Sequence, residues 1–308
     1  MKLVRFAINA SSPHLGTLEG EQIHDLSATY ERFLEGRGVS RSAELAAALS
    51  SASTRAFLQA GEVALTALNQ MAEAVKARRL HWVSHSRASA RLLAPIHDPE
   101  KLICIGLNYK DHAEEAKAPI PKEPPLFAKW TNAILDLGEP ILRPRGCQQL
   151  DYEVELGVVM GRPCRYVPPE QALDYVFGYT IVHDVSARDF QFVTSQWMAG
   201  KIADTFAPIG PWIADRGEIP DPHVLDLRTW VNGTLLQNGN TKNLIFDVRA
   251  LVSYLSNLIT LAPGDVIATG TPAGVGFTRK PPVFLQPGDM VRMEITGLGV
   301  LENPVKEA

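Results

Sequence analysis

The stretch 151-DYEVELGVVM-160 combines a strand pattern with an acidic pattern. Its even positions, from Tyr152 to Met160, are all apolar, and side chains that alternate along a β-strand would place them on one face. The odd positions Asp151, Glu153 and Glu155 would then share the other face, although acidic residues are depleted in strands. Three neighbouring carboxylates repel one another. The pattern therefore indicates either a strand face exposed to solvent or a face that binds a cation.

The composition of the 308-residue chain is typical of a globular protein with ample material for a core: 45% of residues are hydrophobic and 21% are charged. A net charge of −4 with both signs interspersed does not favour nucleic acid as a partner. No apolar run approaches transmembrane length, and MKLVRFAINA lacks the order of a signal peptide. The cysteines, Cys104, Cys147 and Cys164, have no paired or metal-type spacing. We therefore expect a cytoplasmic protein without membrane or nucleic-acid partners.

The sequence changes character near residues 82–95. Before this point, apolar residues between Ala43 and Arg79 recur with a period near 3.6, which predicts helix after a few short N-terminal strands. After it, many short apolar runs are separated by Pro and Gly without regular strand–helix alternation, and 231-VNGT-234 is a strong hairpin signal. The chain is therefore predicted to be α+β and strand-rich, with a small N-terminal α+β domain over residues 1–90 and a larger domain over residues 91–308.

A third carboxylate that could complete a metal site ends the next apolar strand. In YTIVHDVSARD, Asp184 lies at the predicted strand terminus, and alternation places His183 on the opposite face. Hard divalent cations prefer oxygen ligands, of which proteins usually supply only a few. Because Glu153, Glu155 and Asp184 offer carboxylates alone, the set favours Mg²⁺ or Mn²⁺ over Zn²⁺. On spacing alone, a solvated acidic face remains the alternative.

The segment 108-NYKDHAEE-115 carries a candidate general base. His112 and Glu115 are three residues apart and would face each other on one helical turn, expected to span residues 111–116. The alternative is a surface histidine beside solvated acids. The surrounding stretch, residues 107–125, is rich in charges and prolines and has few apolar residues to anchor it. We therefore expect it to be a lid that closes over bound substrate.

Three further segments carry possible ligand contacts. Arg188 and Gln191 have the same three-residue spacing and could hold a substrate carboxylate, although Arg188 could equally be a structural ion-pair partner. Lys201 follows a glycine in WMAGK and could contact an anion or be solvated. The stretch 268-ATGTPAGVG-276 follows a predicted strand but lacks the signatures of phosphate and dinucleotide loops. It is expected to be a plain turn unless a ligand approaches its backbone.

Taken in order, the segments GLNYxxHxxE, YExELGVV, HDVSARD and TGTPxGVG resemble the fumarylacetoacetate hydrolase family. The resemblance runs from about Ala94 to the C-terminus and includes DTFAPIGPW and RKPPVFLQPGDMV, whereas the first 90 residues carry no comparable motif. Within the family, the chain is most similar to the branch represented by fumarylacetoacetate hydrolase domain-containing protein 2. This resemblance implies a mixed β-roll of the family's C-terminal type and a homodimer.

The resemblance also implies roles for particular residues. It implies Mg²⁺ or Mn²⁺ binding by the two strand glutamates and the later aspartate, a His–Glu catalytic dyad with a lysine beside it, and substrate contacts from three polar side chains. In this order the residues are Glu153, Glu155 and Asp184; His112, Glu115 and Lys201; and Arg188, Gln191 and Thr271. The loop over residues 189–197 looks shorter than its counterpart in some relatives. The resemblance therefore does not predict which residues form the pocket wall there.

The implied activity is that of an enzyme acting on a small-molecule 2-oxo acid through an enolate stabilised by the metal. Our first expectation is hydrolytic C–C cleavage of an acylpyruvate-type substrate, with His112 and Glu115 activating water. The same site would support oxaloacetate tautomerase or decarboxylase activity, or isomerisation of a 2-hydroxy-diene-dioate. An alternative from another class is a metabolite-binding scaffold with little turnover. Intact His112, Glu115 and Lys201 argue against a scaffold, which would not need them.

Overall fold

The computed structural model describes residues 1–9, 12–49 and 53–308. Within these ranges the strands are β1 (Lys2–Ile8), β2 (His14–Glu19), β3 (Gln22–Asp25), β4 (Ser84–Ser86), β5 (Ala90–Leu93), β6 (Leu102–Ile105), β7 (Leu126–Lys129), β8 (Ile134–Leu135), β9 (Ile141–Arg143), β10 (Leu150–Asp151), β11 (Val154–Met160), β12 (Val176–His183), β13 (Ser186–Ala187), β14 (Ala207–Asp215), β15 (Asp226–Val231), β16 (Thr234–Asn240), β17 (Val266–Ala268), β18 (Met290–Ile295) and β19 (Gly299–Glu307). The α-helices are α1 (Leu26–Glu35), α2 (Ser42–Leu49), α3 (Thr54–Gln59), α4 (Glu62–Lys76), α5 (Lys110–Glu115), α6 (Arg188–Gln191) and α7 (Val248–Leu258).

Twelve strands form one mixed sheet in the order β4-β3-β2-β1-β14-β12-β11-β17-β6-β7, with β5 paired to β1 and β8 to β14. The N-terminal strands continue the sheet of the larger region, because β1 pairs antiparallel with β14, Lys2 opposite Ala214. The pairing of β17 with β6 is parallel, whereas β11 pairs antiparallel with both of its neighbours. The prediction of a strand-rich α+β fold is confirmed. The domain division near residue 90 stays a prediction, and one sheet joins its two sides.

A second sheet of five strands, in the order β16-β15-β18-β19-β9, contains the predicted hairpin. β15 and β16 meet with Val231 opposite Thr234, and the two residues between them have positive φ, 50° at Asn232 and 80° at Gly233. Two positive φ angles define the turn whose twist matches that of the flanking strands, and Asn-Gly adopts it readily. The VNGT prediction is therefore confirmed.

The expected unbroken strand over residues 151–160 is interrupted near its beginning. Asp151 belongs to β10, which pairs with β13, and β11 starts only at Val154, leaving Tyr152 and Glu153 outside both strands. Both faces of β11 are buried, so its apolar positions form part of the main core. The acidic positions are also closed to solvent, with Glu155 only 1% exposed. A solvated acidic face is therefore wrong for this strand.

Two of the helices, α1 and α7, begin where an aspartate satisfies a free backbone amide. Asp25 accepts a hydrogen bond from the amide of Ala28 at the start of α1, and Asp247 accepts one from Ala250 at the start of α7. Such caps stabilise helix N-termini because the first amides of a helix have no internal partner. A membrane-spanning helix needs a long apolar stretch, and none of the helices in the described ranges has one.

Candidate active site

A cavity of about 220 Å³ lies where β6 and α5 face the beginning of β11. Seven of the nine predicted site residues line it: His112, Glu153, Glu155, Arg188, Gln191, Lys201 and Thr271. The other two lie against this lining, since Glu115 contacts His112 and Asp184 contacts Lys201. The tertiary structure thus brings together residues spread over more than half of the chain.

Three carboxylates converge beside the cavity. Glu153, Glu155 and Asp184 each offer an oxygen within 4.8 Å of the others, and all three side chains are buried. The pairing of β11 with β12 produces this arrangement, because the amide of Asp184 donates to the carbonyl of Glu153 at 2.9 Å. His183 lies outside the cluster, as the alternation predicted. Burial, with the nearby Lys129 charge, lowers the pKa of His183 to about 3, so its imidazole is neutral at physiological pH.

Asp151 does not join this cluster, although strand alternation placed it on the same face. Its carboxylate accepts hydrogen bonds from Arg188 Nε at 2.9 Å and from the amides of Gly276 and Phe277 at 2.7 and 3.1 Å. The break in the strand after Asp151 explains the difference, because alternation does not hold across non-strand residues. Asp151 therefore anchors the arginine and the loop around Gly276.

Lys201 and Arg188 form ion pairs with carboxylates of this cluster. Lys201 Nζ donates to Glu153 Oε2 at 2.9 Å, to Asp184 Oδ2 at 2.7 Å and to a serine hydroxyl. Arg188 donates to Glu153 Oε1 and to Gln191 Oε1, which lies 2.9 Å from Nη1. Burial lowers the pKa of Lys201, but the charges of Asp184 and Glu153 outweigh it and raise that pKa overall. Lys201 is therefore charged and engaged rather than solvated, and Arg188 is an ion-pair partner that also faces the cavity.

Lys129 is a member of this charge network that the sequence analysis missed. Its Nζ lies 2.8 Å from Asp184 Oδ1 and donates to the carbonyls of Val185, Lys201 and Phe206. The side chain is fully enclosed, and desolvation lowers its pKa despite the neighbouring aspartate. A signal was present in the sequence: alternation along β7 places Lys129 on the same buried face as Phe127. Lys129 therefore holds Asp184 Oδ1, whereas Lys201 holds Asp184 Oδ2.

The balance of buried charges favours a bound cation at the carboxylate cluster. Four buried carboxylates meet three buried cationic side chains, which leaves one negative charge uncompensated: Asp151, Glu153, Glu155 and Asp184 against Lys129, Arg188 and Lys201. Within the described ranges Glu155 forms no ion pair, and it accepts one hydrogen bond, from the amide of Gly270 at 2.9 Å. Burial and the nearby Asp184 and Glu153 raise the pKa of Glu155 well above its usual range. An all-oxygen donor set with excess negative charge fits Mg²⁺ or Mn²⁺.

The predicted dyad forms on α5. His112 Nδ1 lies 3.5 Å from Glu115 Oε2, which is contact distance but long for a hydrogen bond. The Glu115 carboxylate accepts from the amide of Gly274 at 3.0 Å. Burial raises the pKa of Glu115, but the interactions with His112 and Gly274 outweigh it, so that pKa is lowered overall. Glu115 is therefore an anion placed to orient His112.

The expected weak anchoring of the segment around this dyad is wrong for its first part. Asn108 and Tyr109 are fully buried, and the Asn108 side chain exchanges hydrogen bonds with the backbone of Phe246. The residues just before α5 are thus held by a loop that is distant in sequence. The second part, residues 116–125, is half-buried or exposed apart from Pro124, with Ile120 61% exposed. Only this later part retains the features expected of a lid.

The stretch over residues 268–276 is more than a plain turn, because its amides bind the acids of the site. Gly270, Gly274 and Gly276 donate to Glu155, Glu115 and Asp151 respectively. At Gly274, φ is 105° and an added Cβ would lie 2.2 Å from a backbone oxygen, so only glycine fits. Thr271 Oγ1 accepts from Gln237 Nε2 at 2.7 Å. Gln237, fully buried on β16, is a second residue that the sequence analysis missed.

The strand-rich α+β fold brings carboxylates, lysines and a His–Glu pair together at one cavity, an arrangement that could hold a divalent metal ion. Comparison with known proteins identifies the family. The model of the fumarylacetoacetate (FAA) hydrolase C-terminal domain matches residues 101–306, and the chain belongs to this family. A Xenopus laevis protein named oxaloacetate tautomerase fahd2, mitochondrial, is 44% identical over 310 residues, covering 99% of this chain and 90% of that protein.

Two further relatives support the assignment of the chain to this family. A fumarylacetoacetate hydrolase domain-containing protein 2 homolog from Dictyostelium discoideum is 51% identical over 229 residues, covering 71% of this chain and 75% of the homolog. The crystal structure of maleylpyruvate hydrolase from Sphingobium sp. SYK-6, in complex with manganese(II) and pyruvate, is 28% identical and superposes with a TM-score of 0.76 over 100% of both chains. The resemblance to this family and branch is therefore confirmed, and two of these three relatives carry the names of enzymes.

Proposed function

We propose that this protein is a divalent-metal-dependent enzyme that interconverts the keto and enol forms of oxaloacetate or a closely related 2-oxo acid. The observation that carries the proposal is the buried Glu153–Glu155–Asp184 cluster, which shares its cavity with His112 and Lys201. The choice of oxaloacetate is supported by the name of the Xenopus laevis relative. Tautomerisation therefore takes precedence over the hydrolytic cleavage that the sequence analysis placed first.

The metal would be held by Glu153, Glu155 and Asp184, as Mg²⁺ or Mn²⁺. Bound there, it would supply Lewis-acid stabilisation to the oxygen of a 2-oxo acid that becomes negatively charged in the enolate. Lys201 and Arg188 already lie against Glu153, so their positive charges would also stabilise an anion at this wall.

His112 would carry the proton in this reaction. Its Nδ1 points to Glu115, which leaves Nε2 as the ring nitrogen that can exchange a proton with a substrate carbon. The Glu115 anion would stabilise the imidazolium formed when His112 accepts that proton. Because Gly274 fixes Glu115, the direction of the imidazole is set by a loop far away in sequence. In the direction from keto to enol, a proton leaves the carbon beside the keto group and a proton is added to the keto oxygen. In the reverse direction, a proton leaves the enol oxygen and a proton is added to the carbon, so each direction is balanced.

Hydrolytic cleavage of an acylpyruvate is the second candidate, and the same dyad favours it. His112 could deprotonate a water molecule that attacks the acyl carbon, after which the C–C bond breaks and the pyruvate enolate leaves and takes up a proton. The similarity to a maleylpyruvate hydrolase supports this possibility. A scaffold with little turnover is disfavoured by the intact dyad, which binding alone does not require.

The cytoplasmic location and the homodimer remain predictions. The Xenopus laevis relative carries the word mitochondrial in its name, so fractionation of cells that express this protein is the direct measurement of location. One chain has a mass of 33.7 kDa. A sedimentation mass of twice this value at micromolar concentration is expected, and the mass of a single chain would contradict the homodimer.

A substrate panel tests the proposed function. Purified protein with Mn²⁺ would be assayed for decay of enolic oxaloacetate by ultraviolet absorbance and for pyruvate release from oxaloacetate and acetylpyruvate. We expect tautomerisation to be the fastest reaction and His112→Ala to slow it by about a hundredfold or more, as for loss of a general acid–base group. His81→Ala, at an exposed histidine, is the matched control. Absence of metal-dependent turnover with every substrate would support the scaffold instead.

A further inference from the structure

A second cavity lies directly behind one wall of the first. It measures about 260 Å³, compared with about 220 Å³ for the candidate active site. Phe127 and Trp197 line both cavities, and their rings meet edge to face with centroids 6.1 Å apart. An edge-to-face aromatic pair is a stable packing arrangement, so the two rings form a partition.

The Trp197 side of this partition rests on a glycine. An added Cβ at Gly106 would lie 2.2 Å from Cζ3 of the Trp197 indole, closer than any side chain allows. The backbone of Gly106 does not have a positive φ, so the conformation itself would accept alanine. Because Gly106 has no side chain, the Trp197 indole can lie close to its backbone. In this position the indole forms part of the wall of the active-site cavity.

The second cavity has an apolar lining. Pro125, Leu126 and Met198 join the two aromatic rings there, with Ser195 and Gln196 at its polar side. No charged side chain lines it, whereas the active-site cavity is lined by acids and cations, here called the charged wall, together with aromatic rings. Lys201 Nζ lies 5.0 Å from the centre of the Phe127 ring, so the charged wall and the partition are neighbours. An apolar substituent on a 2-oxo acid bound at the charged wall would therefore lie near the partition.

We propose that Trp197, seated on Gly106, sets the size limit for the distal group of the substrate, and that the cavity behind it is an unused subsite for an apolar acyl or aryl group. This inference rests on the proposed function, because it assumes that 2-oxo acids bind at the charged wall. Small substrates such as oxaloacetate fit in front of the indole. Larger ones require it to move into or away from the second cavity.

The test compares two acids that differ only in the acyl group, acetylpyruvate and benzoylpyruvate. Their inhibition constants against oxaloacetate turnover would be measured on the Mn²⁺-supplemented protein. Trp197→Ala should improve binding of benzoylpyruvate relative to acetylpyruvate by about tenfold or more, the scale of a changed apolar pocket. The ratio is decisive because any disturbance of the nearby Lys201 affects both acids equally. Trp130→Ala, the same change at an exposed tryptophan, should leave the ratio unchanged.

A second variant tests the Gly106 contact without removing the indole. Gly106→Ala should displace Trp197 and change the ratio by about threefold, as expected for residues in contact. In the double variant with Trp197→Ala, the added methyl group should have no further effect. An unchanged ratio in Trp197→Ala, or an equal effect of the methyl group with and without Trp197, would overturn the inference. If no 2-oxo acid binds or reacts even in the parent protein, the proposed function fails and the inference fails with it.

Discussion

Two regions of the large sheet, the N-terminal interior around β1 and the β11–β12 interior, differ in the kind of side chain that they bury. Along β1, the buried side chains Leu3, Val4 and Phe6 are apolar and fully enclosed. At the junction of β11 and β12, the enclosed groups include Glu155 and Asp184, in a network with one uncompensated negative charge. An apolar interior stabilises the fold through burial, whereas a buried charge lowers stability unless it is paired. The N-terminal interior therefore contributes to stability through apolar burial, whereas the charges at the β11–β12 junction fit the binding role proposed for them.

The polar groups of the N-terminal interior support the same distinction. Asp25 is buried, but it caps α1 through the amide of Ala28, and Thr29 donates to the Asp25 carbonyl. Both residues also have distant partners: His14 Nδ1 lies 2.8 Å from the Asp25 carboxylate, and the amide of Val83 donates to the Thr29 hydroxyl. The partners of Asp184 at the candidate active site include Lys129, which is 55 residues away in sequence. The two regions therefore differ in the number of charged groups that they bury rather than in the sequence separation of their contacts.

The largest effect is expected from removing a buried cation. Lys129→Met should lower the unfolding free energy of the metal-free protein by about 3–5 kcal/mol, the usual result of breaking a buried ion pair. Mn²⁺ should stabilise the variant more than the parent, because the network has gained one net negative charge. Urea unfolding with and without Mn²⁺ measures both. Lys306→Met, at an exposed lysine, is the control. A loss of unfolding free energy below about 1 kcal/mol in Lys129→Met would show that Lys129 contributes no more than a surface charge.

Removing one carboxylate should affect catalysis more than the fold. Glu153→Gln keeps the shape of the side chain but removes its charge, and we expect kcat to fall by about a hundred- to a thousandfold. The rise in melting temperature on adding Mn²⁺ should also disappear, because that rise depends on binding to the folded state. Glu302→Gln on β19, at a half-buried glutamate remote from the site in the second sheet, is the matched control. Full activity of the parent protein in excess EDTA would contradict a metal role for this cluster.

A smaller change is expected from the apolar interior. Ile23→Val removes one methylene-sized group from a fully buried position on β3 and should lower the unfolding free energy by about 0.5–1.5 kcal/mol. Mn²⁺ affinity and kcat should not change, because Ile23 lies in the N-terminal strands. Denaturant unfolding and the oxaloacetate assay give the two values. A tenfold loss of kcat in this variant would show that the two interiors are coupled.

The smallest effect concerns the segment beside α5. With Mn²⁺ and oxalate, a pyruvate-like ligand, backbone amides of residues 117–125 should exchange with solvent more slowly, as expected when a lid closes. The amide of Tyr109 should exchange slowly in both states, because this residue is fully buried. Hydrogen exchange read by mass spectrometry separates the two parts. Equal, fast exchange over residues 117–125 with and without oxalate would show that no lid forms.

Much of the candidate site could be predicted from short patterns. Alternation along the chain singled out Glu153, Glu155 and Asp184, and helical spacing paired His112 with Glu115. The Asn-Gly hairpin also followed from local backbone preferences. The contact of His112 with Glu115 and the hairpin could be predicted because each depends on geometry within a few residues, whereas the roles of the site residues stay predictions. The prediction failed at Asp151, since the strand breaks just after it and the periodicity no longer applies.

The sequence by itself determined the family, the strand-rich class and the acids that could bind a metal. Only the tertiary structure decided how those acids are compensated, because their partners come from distant segments: Lys129 on β7, Lys201 and the amide of Gly270. It also decided where the cavity ends, at an indole resting on Gly106. The physical reason is that side-chain periodicity is local, whereas Coulomb interactions and packing act between groups that only the folded chain brings into contact.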